Sequence, residues 1–170
     1  MRFKFLSVLA AGLLLAAGAS KPEDTQASSA SGSTTAGTST VTSTVVPGSQ
    51  QDLVQNVGDR VFFGFDKYDL SPEAQATLER QAAWLRQYPA VTITVEGHCD
   101  ERGTREYNLA LGERRANSVK NYLVALGVDQ NRLTTISYGK ERPAVSGSTE
   151  EAWAQNRRAV TVVSGGAPAS

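Results

Sequence analysis

Val91-Thr92-Ile93-Thr94-Val95-Glu96 alternates apolar and polar side chains over six positions. That is the pattern of a strand with one buried face, because successive strand side chains point to opposite sides. A parallel sheet enclosed on both faces would show continuous apolar runs instead. The alternation therefore predicts a sheet covered on one side only, a two-layer α/β sandwich rather than a doubly wound fold.

On the N-terminal side of this strand, Ser71-Pro72-Glu73 combines an N-cap residue, a proline at the first helical position and an acid where the helix dipole favours it. Ala74, Leu78, Ala82 and Leu85 supply an apolar stripe, and Pro89 ends the helix after Tyr88. Before it, Val61-Phe62-Phe63-Gly64-Phe65 reads as a first strand and Asp66-Lys67-Tyr68-Asp69 as a polar turn. On the C-terminal side, a loop from Gly97 to Glu106 leads into a helix from about Tyr107 to Leu126, with Leu111, Val119, Leu123 and Leu126 inside and Gly127 as its stop. Leu133 to Tyr138 reads as a third strand, Thr149 to Gln155 as a short helix and Arg158 to Val163 as a last strand. The order is β-α-β-α-β-α-β, an α+β fold with helices on one face of a mixed four-stranded sheet.

A chain of 170 residues holds one such domain and little more. Its 17 Lys+Arg balance 17 Asp+Glu, so no whole-chain field exists to gather nucleic acid, and no nucleic-acid partner is expected. His98 and Cys99 are the single histidine and cysteine. The usual zinc sites and an intramolecular disulfide are therefore out of reach, and no metal or cofactor is expected. As neighbours on a strand their side chains face opposite ways, the wrong geometry for a Cys/His nucleophile pair. Cys99 is expected to be a buried structural thiol without a redox role, and His98 a strand histidine with a satisfied hydrogen bond.

The ends differ in character from the middle. Met1-Arg2-Phe3-Lys4 followed by an apolar run from Phe5 to Ala17 reads as a secretory signal peptide over residues 1–19, with Ala17-Gly18-Ala19 as an Ala-x-Ala cleavage site. Leu15-Ala16-Ala17 also matches the start of a bacterial lipobox, whose next position is a lipid-bearing cysteine and here is Gly18. Residues 20–59, rich in Ser, Thr, Ala and Gly, are expected to be a flexible tether with a reach of roughly 35 Å. The folded module is then 60–164, and 165–170 a disordered tail.

The segment with chemical content is Gly97-His98-Cys99-Asp100-Glu101-Arg102-Gly103-Thr104-Arg105-Glu106-Tyr107-Asn108, where a half-buried strand opens into a charged, glycine-bracketed loop that starts a helix. Seven residues separate Asn108 from Arg115, which puts both on one helical face within about 20°. Arg115 can then point back at the loop holding Asp100. An acid and an arginine converging beside a helix start make a site for a zwitterion, carboxylate to ammonium and guanidinium to carboxylate. On spacing alone, such a pair is more often a solvated or structural ion pair.

Phe63-Gly64-Phe65-Asp66-Lys67-Tyr68, the Gly97 to Thr104 stretch and Tyr107-Asn108-Leu109-Ala110-Leu111-Gly112-Glu113-Arg114-Arg115-Ala116 resemble the OmpA-like domain of the peptidoglycan-associated lipoprotein family. Gly139-Lys140-Glu141-Arg142-Pro143 and Asn156-Arg157-Arg158 extend the likeness over almost all of the module. The resemblance implies non-covalent binding of the peptidoglycan stem peptide through meso-diaminopimelate. Asp100 would engage the ammonium and Arg115 the carboxylate, with Phe65, Asp66 and Arg102 lining the pocket. Asn108 and Leu111 would belong to the helix motif, Asn108 as cap or contact and Leu111 as core. It further implies a link between the outer membrane and the cell wall in the Tol-Pal system, which supports envelope integrity and outer-membrane invagination at division. Tol-system periplasmic proteins would be its partners. Two positions depart from the family pattern: Cys99 stands where Thr or Asn is common, and Gly18 where the lipidated cysteine is expected. Glycine carries no thioether lipid, so the chain as written would be soluble in the periplasm, or kept at the periplasmic face of the outer membrane by contacts. The competing readings are a protein-binding scaffold without wall binding and a wall-degrading enzyme using Glu96 and Asp100. The arginines around those acids would hold them ionised and leave no general acid, so no catalytic residue is expected. As a binding site it predicts that Asp100→Ala and Arg115→Ala each abolish capture by diaminopimelate-type peptidoglycan and leave the fold intact.

Overall fold

In the computed structural model, which describes residues 45–167, Ile93 and Val95 are fully buried, while Thr92, Thr94 and Glu96 are only half-buried. This alternation runs along β2 (Thr92–His98). The other strands among the described residues are β1 (Arg60–Phe62), β3 (Leu133–Gly139) and β4 (Arg158–Gly165), in the spatial order β1-β4-β2-β3. β4 pairs antiparallel with both β1 and β2, and β2 pairs parallel with β3. The sheet is mixed because the β2-to-β3 connection is a helical crossover, whereas β4 returns between β1 and β2. The fold is the expected α+β sandwich.

The helices are α1 (Gln50–Asp52), α2 (Pro72–Gln87), α3 (Arg105–Ala125) and α4 (Glu150–Asn156). Ser71, Thr104 and Thr149 cap α2, α3 and α4, each accepting from the backbone N–H three residues on. Leu78, Leu85, Val119 and Leu123 on α2 and α3 pack with Ile93, Val95 and Leu133 of the sheet into one core. The seating of α3 is close: a Cβ at Gly97 would lie 1.8 Å from the carbonyl oxygen of Gly112. Only glycine permits that approach, and it brings the first half of α3 down over the end of β2. Ser137 on β3 donates to the Leu109 carbonyl at 2.7 Å and fixes the same contact from the next strand.

Element boundaries moved where packing extended a pattern. β2 continues through Gly97 and His98, so the loop beyond it starts at Cys99. β4 includes Gly165, paired with Thr92, so the position expected to start the tail is sheet. The larger correction is at the N-terminal side. Residues 45–59, expected to be tether, lie on the domain: α1 runs into a π-helical turn (Leu53–Val57), and Leu53 is fully buried in the core. The buried Asp52 accepts from Gly48 N–H at 2.8 Å, from Asn56 at 2.7 Å and from the indole N–H of Trp84 at 2.8 Å. Those bonds hold its carboxyl below the ordinary range despite its burial, which acts to raise it. Asp52→Ala is expected to cost about 1–3 kcal/mol, because the Trp84 N–H is left buried without a partner. The check is a thermal melt together with faster proteolysis within 45–59; an unchanged melt would show that this arm adds nothing. The signal peptide, Gly18, the tether up to residue 44 and the last three residues, 168–170, lie outside the described residues.

Candidate binding site

Three segments meet at the end of β2 and enclose a cavity of about 190 Å3. Phe65 and Asp66 come from the loop after β1; Cys99, Asp100, Arg102 and Gly103 from the loop after β2; Tyr107, Asn108, Leu111 and Arg115 from α3. The cavity thus brings together every site residue expected from the sequence.

The loop after β2 is tied down at several points. Cys99 N–H donates to the Gly139 carbonyl at 2.8 Å. The buried Asn108 side chain donates to the carbonyls of Arg102 at 2.7 Å and Thr104 at 3.0 Å. Lys140 Nζ donates to the carbonyls of Glu101 and Gly103 at 3.1 and 2.7 Å. Gly103 takes a left-handed φ of 87° that a side chain would resist. Asn108 spends both its amide hydrogens on this loop, so its work is to shape the site. Leu111, expected to be core, is buried but lines the cavity and stands outside the cluster that joins α2, α3 and the sheet.

Asp100 is 5% exposed, and both its oxygens are occupied. Oδ1 accepts from the backbone N–H and Nε of Arg102, each at 3.1 Å; Oδ2 accepts from Arg102 Nη2 at 2.6 Å and Arg157 Nη1 at 3.5 Å. Burial acts to raise the Asp100 carboxyl, but the bonds from Arg102 and then Arg157 outweigh it and hold it below the ordinary range. The carboxylate is ionised at neutral pH.

Arg115 is 0% exposed. Its Nε donates to the Lys67 carbonyl at 2.8 Å, Nη1 to that of His98 at 2.8 Å and Nη2 to that of Gly64 at 3.1 Å. A guanidinium has five N–H donors, so two remain beside the three spent on these carbonyls. One residue therefore braces the loop after β1 and the end of β2, and it lines the cavity beside Cys99.

Asp66 adopts φ 56°, in the left-handed region that Asp tolerates better than most residues. It accepts a hydrogen bond from the Tyr107 hydroxyl, which holds that hydroxyl above its ordinary range. Tyr107, Trp153, Glu150 and Arg157 were not singled out from the sequence. Arg157 donates to the Phe63 carbonyl at 3.1 Å and to Glu150 at 2.7 Å as well as to Asp100. The signal for Arg157 was present in the Asn156-Arg157-Arg158 motif; Trp153 and Glu150 carry no local pattern.

Cys99 is buried, its thiol donates to the Asn108 carbonyl at 3.3 Å, and burial pushes it up to about 11. It is a protonated structural thiol at neutral pH. His98 departs from expectation: it is buried, and neither ring nitrogen has a hydrogen-bond partner among the described residues. Its ring lies 5.6 Å from that of Tyr138, with Nε2 3.5 Å from Glu96 Oε2. Burial first, and the nearby Arg158 charge second, push it down to about 4, so it is neutral and sheds the need for an ionic partner. Glu96 lies beside His98 and does not line the cavity, so it and Asp100 do not flank one cleft. Among the described residues, no three His, Cys, Asp or Glu side chains converge where a metal ion could be held.

The model of the OmpA family matches residues 62–157. The peptidoglycan-associated lipoprotein of Rhizobium meliloti (strain 1021) is 60% identical over 119 residues, 70% of this chain and 68% of that protein. That of Haemophilus influenzae is 54% identical over 109 residues, 64% of this chain and 71% of that protein. Among solved structures, the peptidoglycan-associated lipoprotein of Burkholderia pseudomallei is 45% identical with a TM-score of 0.61, covering 62% of this chain and 89% of that one. The C-terminal domain of Helicobacter pylori MotB is 26% identical with a TM-score of 0.59, covering 63% and 84%. The match runs over more than half of the chain, from the last residue of β1 through the cavity with Asp100 and Arg115 to the Arg157 bonded to Asp100, and on that ground the chain belongs to the OmpA family.

Proposed function

We propose that this domain binds peptidoglycan non-covalently, by receiving the diaminopimelate of a stem peptide in the Asp100/Arg115 cavity. The observation that carries the reading is the pairing, in one cavity of about 190 Å3, of a buried ionised carboxylate with a buried guanidinium that keeps two donor hydrogens. The far end of a diaminopimelate side chain carries one ammonium and one carboxylate. Asp100 takes the first and Arg115 the second, in a charge-assisted pair that can be bidentate. Phe65 and Leu111 offer apolar contact to the methylene chain between them, and Asp66 lies at the mouth as a further acid. The domain is a binding module in this reading, with no bond made or broken.

The names of the relatives support association with peptidoglycan, and they support an envelope location. The fuller reading is a link between outer membrane and wall in the Tol-Pal system, serving envelope integrity and division, with Tol-system proteins as periplasmic partners. With Gly18 at the lipobox position, the chain as written is soluble in the periplasm or kept at the periplasmic face of the outer membrane by wall and protein contacts.

The test is calorimetric titration of the protein with a stem tetrapeptide containing meso-diaminopimelate and with the same peptide carrying lysine, whose α-groups are tied up in peptide bonds so that its side chain offers the ammonium and lacks the distal carboxylate. Diaminopimelate is expected to bind at least about tenfold more tightly, the equivalent of one charge-assisted hydrogen bond to Arg115. Equal affinities would remove Arg115 from the site. No heat with diaminopimelate or with muropeptides would overturn the reading and leave a protein-binding scaffold.

A further inference from the structure

The carboxylate that the ligand ammonium needs is already taken. Asp100 receives the backbone N–H and Nε of Arg102 on Oδ1, and Arg102 Nη2 and Arg157 Nη1 on Oδ2. A carboxylate offers about four acceptor directions, so an ammonium finds no free lone pair until one donor leaves. Arg157 is anchored, with Nε on the Phe63 carbonyl, Nη2 on Glu150 and a side chain only 8% exposed. Arg102 has the less enclosed side chain. It is 31% exposed, and beyond Asp100 its ionic contact is a long 3.9 Å approach to Glu150. Its guanidinium lies between two rings, 4.1 Å from the centroid of Phe65 and 4.0 Å from that of Trp153. Phe65 is 60% exposed, while Trp153 is steadied by its N–H bond to Glu101 at 3.1 Å. Such faces hold a cation in place without closing its way out.

We infer that Arg102 is an internal competitor for the ammonium site on Asp100. In the free protein the guanidinium fills that site, and a ligand ammonium binds by displacing it from between Phe65 and Trp153. This rests on the zwitterion reading above, and it gives Arg102 a role opposite in sign to a ligand contact. The arrangement keeps the buried carboxylate neutralised while the cavity is empty. It also sharpens selection: a ligand with a carboxylate for Arg115 and no cation of its own leaves Arg102 in place and gains only half the site. The competitor lowers affinity by the fraction of time it holds Asp100.

Two measurements on the full chain test this. The first is calorimetry of Arg102→Gln with meso-diaminopimelate. Binding is expected to tighten on the order of three- to tenfold relative to the unmodified protein, as the competing state is lost. Weaker binding, the result if Arg102 touched the ligand or held the loop in shape, overturns the proposal, and so does unchanged affinity. The second is tryptophan emission. The chain has two tryptophans, Trp84 bonded to Asp52 and Trp153 against Arg102. Diaminopimelate is expected to change the emission of the unmodified protein, and to change neither Trp153→Phe nor Arg102→Gln. Heat of binding without that change overturns the displacement step alone. Absence of heat from both the unmodified protein and Arg102→Gln overturns the zwitterion reading, and this proposal with it.

Discussion

Arg115→Ala is expected to lose about 3–6 kcal/mol of folding stability and diaminopimelate binding together. The fully buried guanidinium supplies hydrogen bonds to three carbonyls, of Gly64, Lys67 and His98. The His98 carbonyl, left unpaired away from water, costs about 1–3 kcal/mol, the carbonyls of the exposed Gly64 and Lys67 cost less, and the vacated volume adds a cavity term of about 2–3 kcal/mol. Against a total stability of about 5–15 kcal/mol, that is a large share. The expectation from the sequence is a variant that loses binding and keeps its fold. In the structure the same side chain is fully buried, braces the loop after β1 and the end of β2, and lines the cavity. Urea unfolding at constant m-value is the measurement, and a midpoint shift worth less than about 0.5 kcal/mol would refute the bracing role. Loss of binding in this variant cannot by itself assign the ligand carboxylate, which is why the comparison of lysine with diaminopimelate is needed.

Asp100→Asn separates site from scaffold more cleanly, since the amide keeps the shape and removes the charge. Diaminopimelate affinity is expected to fall at least tenfold, about 1.5–3 kcal/mol for a charge-assisted bond. Stability is expected to fall by about 2–3 kcal/mol as Arg102 and the buried Arg157 lose their shared anion, with Glu150 still on Arg157 limiting the loss. The pH dependence carries a sign. Burial raises the Asp100 carboxyl and its arginine bonds lower it further than burial raises it, so the folded value lies below the ordinary 3.8. The stabilisation is therefore fully present above about pH 4 and is lost as pH falls through the lower folded value. Acid titration of stability should show this limb in the unmodified protein and a shallower one in Asp100→Asn. Identical acid limbs would mean that Asp100 is not held ionised by its arginines.

Much of the architecture was legible in local pattern. The alternation from Val91 to Glu96 predicted a one-sided sheet, and the Ser71-Pro72 cap, the apolar stripe of α2 and the Gly127 stop are all short-range signals. What such signals miss is packing. In the polar stretch before β1, Leu53 and Val57 stand four apart in a run too short to read as an element, yet the core closes over Leu53, Val57 packs against it and Asp52 reaches Trp84, 32 positions away. His98 could be placed on its strand but not given its surroundings, because these come from β4 and the loop after β3.

The candidate site divides in the same way. That Asp100 opens a loop and Arg115 points back from the helix was readable, because seven residues are close to two helical turns and the loop begins where the strand ends. By itself the sequence thus determined which charges could meet, through helical and strand periodicity. Only the tertiary structure decided which were spent: Arg115 on carbonyls 48 and 51 positions away, Asp100 on Arg157 57 positions away, and Arg102 between Phe65 and Trp153. The reason is physical. Periodicity sets the direction of a side chain on its own element, while burial and hydrogen-bond satisfaction depend on distant segments packed against it, and no local pattern encodes those.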